Sequence, residues 1–150
     1  MHIALIGCKE TLLDYLPDLK ERISSRIAGA KITLTYAQKV SDLPFEISRQ
    51  SKADFILVSH IYETAGDSFG IVMQKIMDLR ISKNLKLWDD IEQNSDISES
   101  PGIELQNEKS SRTEKWAKII IAYFFGGEKE KTSDEIEFGS TRMRNPDVGP

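Results

Sequence analysis

The sequence contains a single cysteine, Cys8, among 150 residues. That excludes an intrachain disulfide and any zinc site built from several thiolates, and it points to a reducing compartment. No apolar run approaches the length that crosses a bilayer. The start, MHIALIGCKE, lacks the basic region and long apolar stretch of a secretion signal, so the expected location is cytoplasmic, with no membrane partner. Positive charge is also short. Twenty Lys and Arg stand against 24 Asp and Glu, giving a net charge of −4 and a pI near 5.3. Such a balance makes no broad field for phosphates, and the basic residues are scattered, so no nucleic-acid partner is expected. The turn after the first apolar segment has neither the GxGxxG nor the P-loop pattern, which removes the standard dinucleotide and triphosphate cradles.

What remains is an ordinary globular composition, 39% apolar before glycine is counted, at the length of one domain over 1–150. His2 to Ile6 is short, apolar and followed by Gly7, as in a strand buried on both faces. Leu12, Leu16, Leu19, Ile23 and Ile27 then recur at three- and four-residue steps. Pro17 is tolerated in a first turn, so the helix is predicted from near Leu16, with Gly29 as its stop. Lys31 to Tyr36 alternates like a strand. Ser41 or Asp42 is placed to cap a short helix that holds Pro44 in its first turn and runs to about Gln50. Phe55 to His60, after Asp54, is the most apolar stretch and reads as a central strand. A helix fits Asp67 to Ile81, and Leu85 to Trp88 is a fourth strand. Asp89 to Ser111, rich in Asp, Glu, Asn, Ser and Gly, reads as an exposed acidic loop in which Asp89, Asp90 and Glu92 form a solvated turn. Lys115 to Phe125 carries a stripe of Trp116, Ile119, Ile120, Tyr123 and Phe124, either core or a subunit interface, before a charged segment and an extended tail near 138–150. Strand and helix in alternation predict a three-layer α-β-α fold around a short parallel sheet of about four strands.

In open sheets of this kind ligands bind beyond the carboxyl ends of the strands. Gly7 to Thr11, Gln38 to Pro44 and His60 to Asp67 are therefore expected to converge. His60 at the rim of the central strand is placed for proton transfer near neutral pH, the other reading being a capping or surface histidine. Cys8 reaches the same rim, with no neighbouring motif that would activate its thiol. Asp42 either holds a hydroxyl-rich ligand or caps its helix. Ser68 and Gly70 either admit a ligand at a helix start or simply pack. The acidic residues show no complete metal-ligand pattern.

Several of these segments resemble the archaeal-type riboflavin synthases. The tail RMRNPDVGP carries Arg142 and then Pro146, Asp147, Gly149 and Pro150, similar to the family's arginine followed by a proline-aspartate-x-glycine-proline run. Asp42-Leu43-Pro44 resembles the family's DLP motif, SFGIVMQKIM (68–77) its serine-x-glycine helix, and Ala53-Asp54 and Asp14 agree with it as well. The resemblance implies a flavodoxin-like fold of the lumazine synthase type. It also implies a homopentamer with sites between subunits, and dismutation of two 6,7-dimethyl-8-ribityllumazine molecules without a redox cofactor. On that basis His60 is the expected catalytic group, and Thr11, Ser41, Asp42, Leu43, Tyr62, Ser68 and Arg142 line the substrate. The sequence departs from the pattern in two places. Cys8-Lys9-Glu10-Thr11-Leu12 stands where the family has a threonine-threonine-phenylalanine-alanine-arginine run, and Ala65-Gly66 replaces a histidine-glutamate pair, for which His60 or Tyr62 would have to compensate. Two alternatives therefore stay open: a non-catalytic ligand-binding paralogue, and a lumazine synthase using Lys9, Arg80 or Lys83 for a phosphate.

Overall fold

A computed structural model of the chain describes residues 1–126, leaving aside the side chain of Ser98. Its contacts define two compact units, Met1–Lys115 and Trp116–Pro150.

The first unit is a four-stranded, all-parallel sheet covered by helices, as the alternation of elements predicts. The strands are β1 (His2–Cys8), β2 (Lys31–Ala37), β3 (Phe55–Tyr62) and β4 (Leu87–Gln93), in the spatial order β2-β1-β3-β4. β1 and β3 are central and almost wholly buried because they are apolar on both faces. The chain winds outward from β1 to β2 and then crosses back to β3. The strand order thus reverses between β1 and β3, the place at whose carboxyl edge doubly wound sheets bind their ligands.

The connecting helices are α1 (Leu16–Arg26), α2 (Leu43–Arg49) and α3 (Phe69–Ser82). α1 begins where Pro17 dictates, and Gly29 takes up a positive φ of 81° in the turn that follows it. On one face of the sheet Ala4, Ile6, Cys8, Ile56 and Val58 meet Leu43 and Ile47 of α2 and Val72 and Ile76 of α3 in a single cluster. On the other face Leu13, Ile61 and Ile97 form a smaller cluster with Leu12 and Leu105 packed against it. Phe55 and Trp88 stack across β3 and β4, with ring centroids 4.1 Å apart. Burying a ring of this size contributes about 1.5–3 kcal/mol.

Three expectations are corrected. Asp89 to Ser111 is not an exposed acidic loop: β4 runs on to Gln93, and α4 begins at Gly102 and continues to Phe125, thirteen residues ahead of the predicted start at Lys115. Asp90 is not part of a solvated turn. It is 8% exposed and bound by Arg112 of α4, whose Nη1 reaches both carboxylate oxygens at 3.0 and 2.9 Å, while Tyr15 donates its hydroxyl at 2.6 Å. Neither Ser41 nor Asp42 caps α2. Val40–Asp42 forms one turn of 3-10 helix that leads directly into it, with no side-chain cap.

In the second unit, Trp116, Ala117 and Ile120 are the buried positions of the last turns of α4, and Tyr123 and Phe124 meet edge to face at 4.9 Å. Among the described residues no helix is long and apolar enough to cross a membrane.

Candidate functional site

The site lies at the carboxyl edge, where three loops are stitched together by the backbone. The loop after β1 bonds to both neighbours: the Lys9 amide donates to Ala37 O at the end of β2, and the Leu12 amide to Ile61 O near the end of β3. Glu10 adds a side-chain tie, its Oε1 accepting the Val40 amide at 3.0 Å. The expected convergence of the three loops is therefore present, with the first loop in the middle.

On the α2/α3 side this edge holds His60. The ring is 2% exposed, stacks on Tyr62 with centroids 5.8 Å apart, and leaves Nδ1 buried with no hydrogen-bond partner among the described residues. Burial pushes its pKa below the ordinary histidine value, and the charge of Glu10 works in the opposite direction. The ring is therefore neutral at pH 7, able to take up a proton but not holding one. Tyr62 in turn packs on Phe69 at the start of α3, centroids 4.6 Å apart. These two rings open one end of a groove of about 310 Å³ between α3 and β4, continued by Met73, Ile76, Met77 and Ile91. An ion pair from Arg80 to Asp89, at 2.9 Å, closes the other end.

Cys8 ends β1 on the same face as His60. Its Sγ lies 3.9 Å from Glu10 Oε1. Burial raises the thiol pKa; a backbone hydrogen bond opposes this, and the charges of Glu10 and Asp42 add to the rise. Cys8 is therefore a protonated, unreactive thiol.

The other expected residues divide. Ser41, Asp42 and Ser68 are exposed at this edge, Asp42 and Ser68 at the starts of α2 and α3, and free to meet a solute. Tyr62 is half-buried beside His60. Leu43 is corrected: it is fully buried in the core and presents no side chain to a ligand, since the first turn of α2 points it at the sheet. Thr11 is also reassigned. Its hydroxyl accepts the Ile61 amide at 2.9 Å and donates to Leu13 O at 3.1 Å, so it clamps the loop to β3. Arg142 and the tail near 138–150 lie outside the described residues.

Two features of this edge were not singled out from the sequence. Tyr36, at the end of β2, donates its hydroxyl to Asp14 Oδ2 at 2.6 Å, and burial together with that carboxylate raises its pKa. The Tyr36 ring lies over Gly7 so closely that a Cβ there would stand 2.8 Å from it. Gly7 is thus more than a turn residue, because its missing side chain admits the ring. The second feature is Glu10, whose ties to Val40 and Cys8 no local pattern announces.

Among the described residues no cluster of three or more His, Cys, Asp or Glu could hold a metal. Set against known proteins, the chain matches no family model and no curated sequence.

Proposed function

We propose that the chain is a divergent archaeal-type riboflavin synthase, which transfers a four-carbon unit between two molecules of 6,7-dimethyl-8-ribityllumazine to give riboflavin and 5-amino-6-ribitylaminouracil. The observation that carries the reading is His60: a neutral, buried imidazole with an unpartnered nitrogen, at the carboxyl edge of a central strand and next to an aromatic pair. The resemblance in the sequence supplies the reaction, and two of its motifs sit at this edge. Asp42-Leu43-Pro44 opens α2 and Ser68-Phe69-Gly70 opens α3.

Each group has a task suited to its chemistry. Tyr62 and Phe69 offer flat apolar surface to a heterocycle. Ser41, Asp42 and Ser68 are hydrogen-bonding groups for ribityl hydroxyls. His60 takes a proton from one bound heterocycle and returns it to the other. Holding two substrates in register supplies much of the acceleration, which is why no redox cofactor is required. Arg142 and the tail close the pocket in this reading, and the assembly is a homopentamer, to be tested by its light-scattering mass.

The purified protein is expected to convert the lumazine to riboflavin, read as the growth of flavin fluorescence. His60→Ala is expected to lower turnover by roughly 10²–10⁴-fold. No riboflavin after prolonged incubation across the neutral pH range would reject the proposal. A second reading, a binding protein without turnover, is favoured by the loop after β1: it brings no aromatic ring, and the hydroxyl of Thr11 is spent on the backbone. Saturable lumazine binding without product would select it. A lumazine synthase is less well supported, because Arg80, one of three candidate phosphate contacts, is paired with Asp89.

A further inference from the structure

Among the described residues β4 is the last strand on its side of the sheet, pairing with β3 alone. Its phase fixes which backbone groups are left over. Lys86 O accepts the Ile56 amide and the Asn94 amide donates to Tyr62 O, so the even-numbered residues between them turn their amides and carbonyls to β3. The backbones of Leu87, Asp89, Ile91 and Gln93 therefore point outward, where the sheet ends. The side chains of the first three turn to the α3 face, where Leu87 and Ile91 pack in or against the core and Asp89 meets Arg80.

α3 borders this edge with an apolar stripe. Val72 and Ile76 belong to the core, and Leu79 faces Phe45 of α2. Phe69, Met73, Met77 and Ile81 recur at four-residue steps. Met73 and Met77 line the groove beside Ile91, away from α2, and Met77 and Ile81 are 47% and 73% exposed. A strand added about 4.8 Å outside β4 would run along this stripe, every second side chain turned to it. The lengths agree. Phe69 to Ile81 covers about 18 Å of helix, and Leu87 to Gln93 about 20 Å of strand, room for about six residues.

Charge selects the occupant. On the other face of β4, the carboxylates of Asp90, Glu92 and Glu108 share the single guanidinium of Arg112, and those of Glu92 and Glu108 are open to water. A second copy of the chain would bring Asp89, Asp90 and Glu92 on its own β4 and set like charges side by side. A segment with basic residues at alternate positions brings the opposite charge.

We propose that the outer edge of β4 and the Met73, Met77 and Ile81 stripe bind an extended segment of another protein as an added strand, its apolar side chains against α3 and its alternate, basic side chains beside Glu92 and Glu108. Main-chain bonds to Asp89, Ile91 and Gln93 give affinity, and the alternation of side chains gives selectivity. The surface adjoins Tyr62 and Phe69, but the inference does not depend on the reaction proposed above, and no lumazine enters its test.

The probe is an acetylated, amidated hexapeptide alternating valine and lysine, titrated into the isotope-labelled full chain. Saturable amide shifts are expected along β4 and at Met73, Met77 and Ile81. Hydrogen exchange should slow at the outward amides of Asp89, Ile91 and Gln93 and stay unchanged at Asp90 and Glu92, which already bond to β3. Three changes are each expected to weaken binding roughly tenfold or more: glutamate in place of the lysines, N-methylation of the peptide backbone, which keeps the side chains and removes the donors, and Met77→Glu in the protein, at a position exposed enough to leave the fold intact. Absence of saturable shifts, shifts away from β4, or equal binding of the glutamate or N-methylated peptide would overturn the proposal. So would unchanged binding to Met77→Glu. Concentration-dependent protection of the same outward amides without peptide, together with a dimer mass by light scattering, would also overturn it, by giving the edge to a second copy.

Discussion

Replacing Arg112 with methionine is expected to cost more stability than any other single change at a polar residue. Arg112 makes four hydrogen bonds: two from Nη1 to Asp90, one from Nη2 to Glu92 at 2.8 Å and one from Nε to Glu108 at 2.7 Å. Burial alone would lower the guanidinium pKa, yet Glu92, Asp90 and Glu108 together hold it above its ordinary value. The three partners respond differently to its loss. Glu92 and Glu108 have side chains 45% and 42% exposed and return to water, so each accounts for only about 0–1 kcal/mol. Asp90 has a side chain 9% exposed and would be left with the Tyr15 hydroxyl. Stranding a buried charge in this way costs about 3–5 kcal/mol. That is a large share of the roughly 5–15 kcal/mol by which domains are stable. At about 2–4 °C per kcal/mol for a chain of this size, Tm should fall by roughly 6–20 °C. Urea unfolding followed by far-UV circular dichroism gives the free energy directly. Asp90→Asn with Arg112→Met removes both charges while leaving an acceptor for Tyr15, and should recover more than half of the loss. A single variant weakened by less than about 1 kcal/mol, or a double variant no more stable than the single, would refute the view that Asp90 is held by this pairing.

Other changes are expected to follow from the same geometry. Gly7→Ala forces a Cβ to 2.8 Å from the Tyr36 ring and 3.1 Å from Leu16, and calorimetry should show a loss of about 1–3 kcal/mol. Tyr36→Phe gives up the bond to Asp14 and should cost about 0.5–1.5 kcal/mol in urea unfolding, with less effect if Asp14 is already asparagine. His60 imposes a pH dependence. Its folded pKa lies below the unfolded value of 6.5, so its contribution is complete above that value and is lost as pH falls through the unfolded and then the folded pKa. The unfolding free energy of the wild type should therefore drop more steeply below pH 6.5 than that of His60→Gln, and equal slopes would contradict the burial of a neutral ring.

How much of this was legible in the sequence depends on the distance over which each residue finds its partner. α1 starts at Leu16 because Pro17 fixes its first turn, and β3 is visible in Phe55 to His60 because a strand buried on both faces is apolar throughout. The parallel sheet follows from the alternation of these elements. The segment 89–111 was misread because its polar residues have partners elsewhere. Asp90 resembles a turn residue until Arg112, 22 positions later, neutralises it, and the first turns of α4 are polar because Glu104, Gln106 and Asn107 face solvent. The site was legible to the extent of its place in the fold. His60, Ser41, Asp42, Tyr62 and Ser68 all fall at the carboxyl edge, as the loops following parallel strands must. Side-chain direction was not legible. The pattern around Leu43 does not tell a rim residue from a core residue, and Thr11 gives no local sign that its hydroxyl clamps Ile61. Glu10 gives no local sign of its role because its tie to the Val40 amide is made thirty positions later, in the turn after β2.

The proposed function requires that the carboxyl edge between β1 and β3 bind a flat, hydroxylated heterocycle beside His60. Backbone amide shifts recorded while 6,7-dimethyl-8-ribityllumazine is titrated into the isotope-labelled protein test it most directly. Saturable changes are expected, concentrated at Glu10, Asp42, His60, Tyr62 and Ser68. Changes confined to the opposite edge of the sheet, around Lys31 and Asp54, or none at ligand concentrations that saturate a specific site, would contradict it.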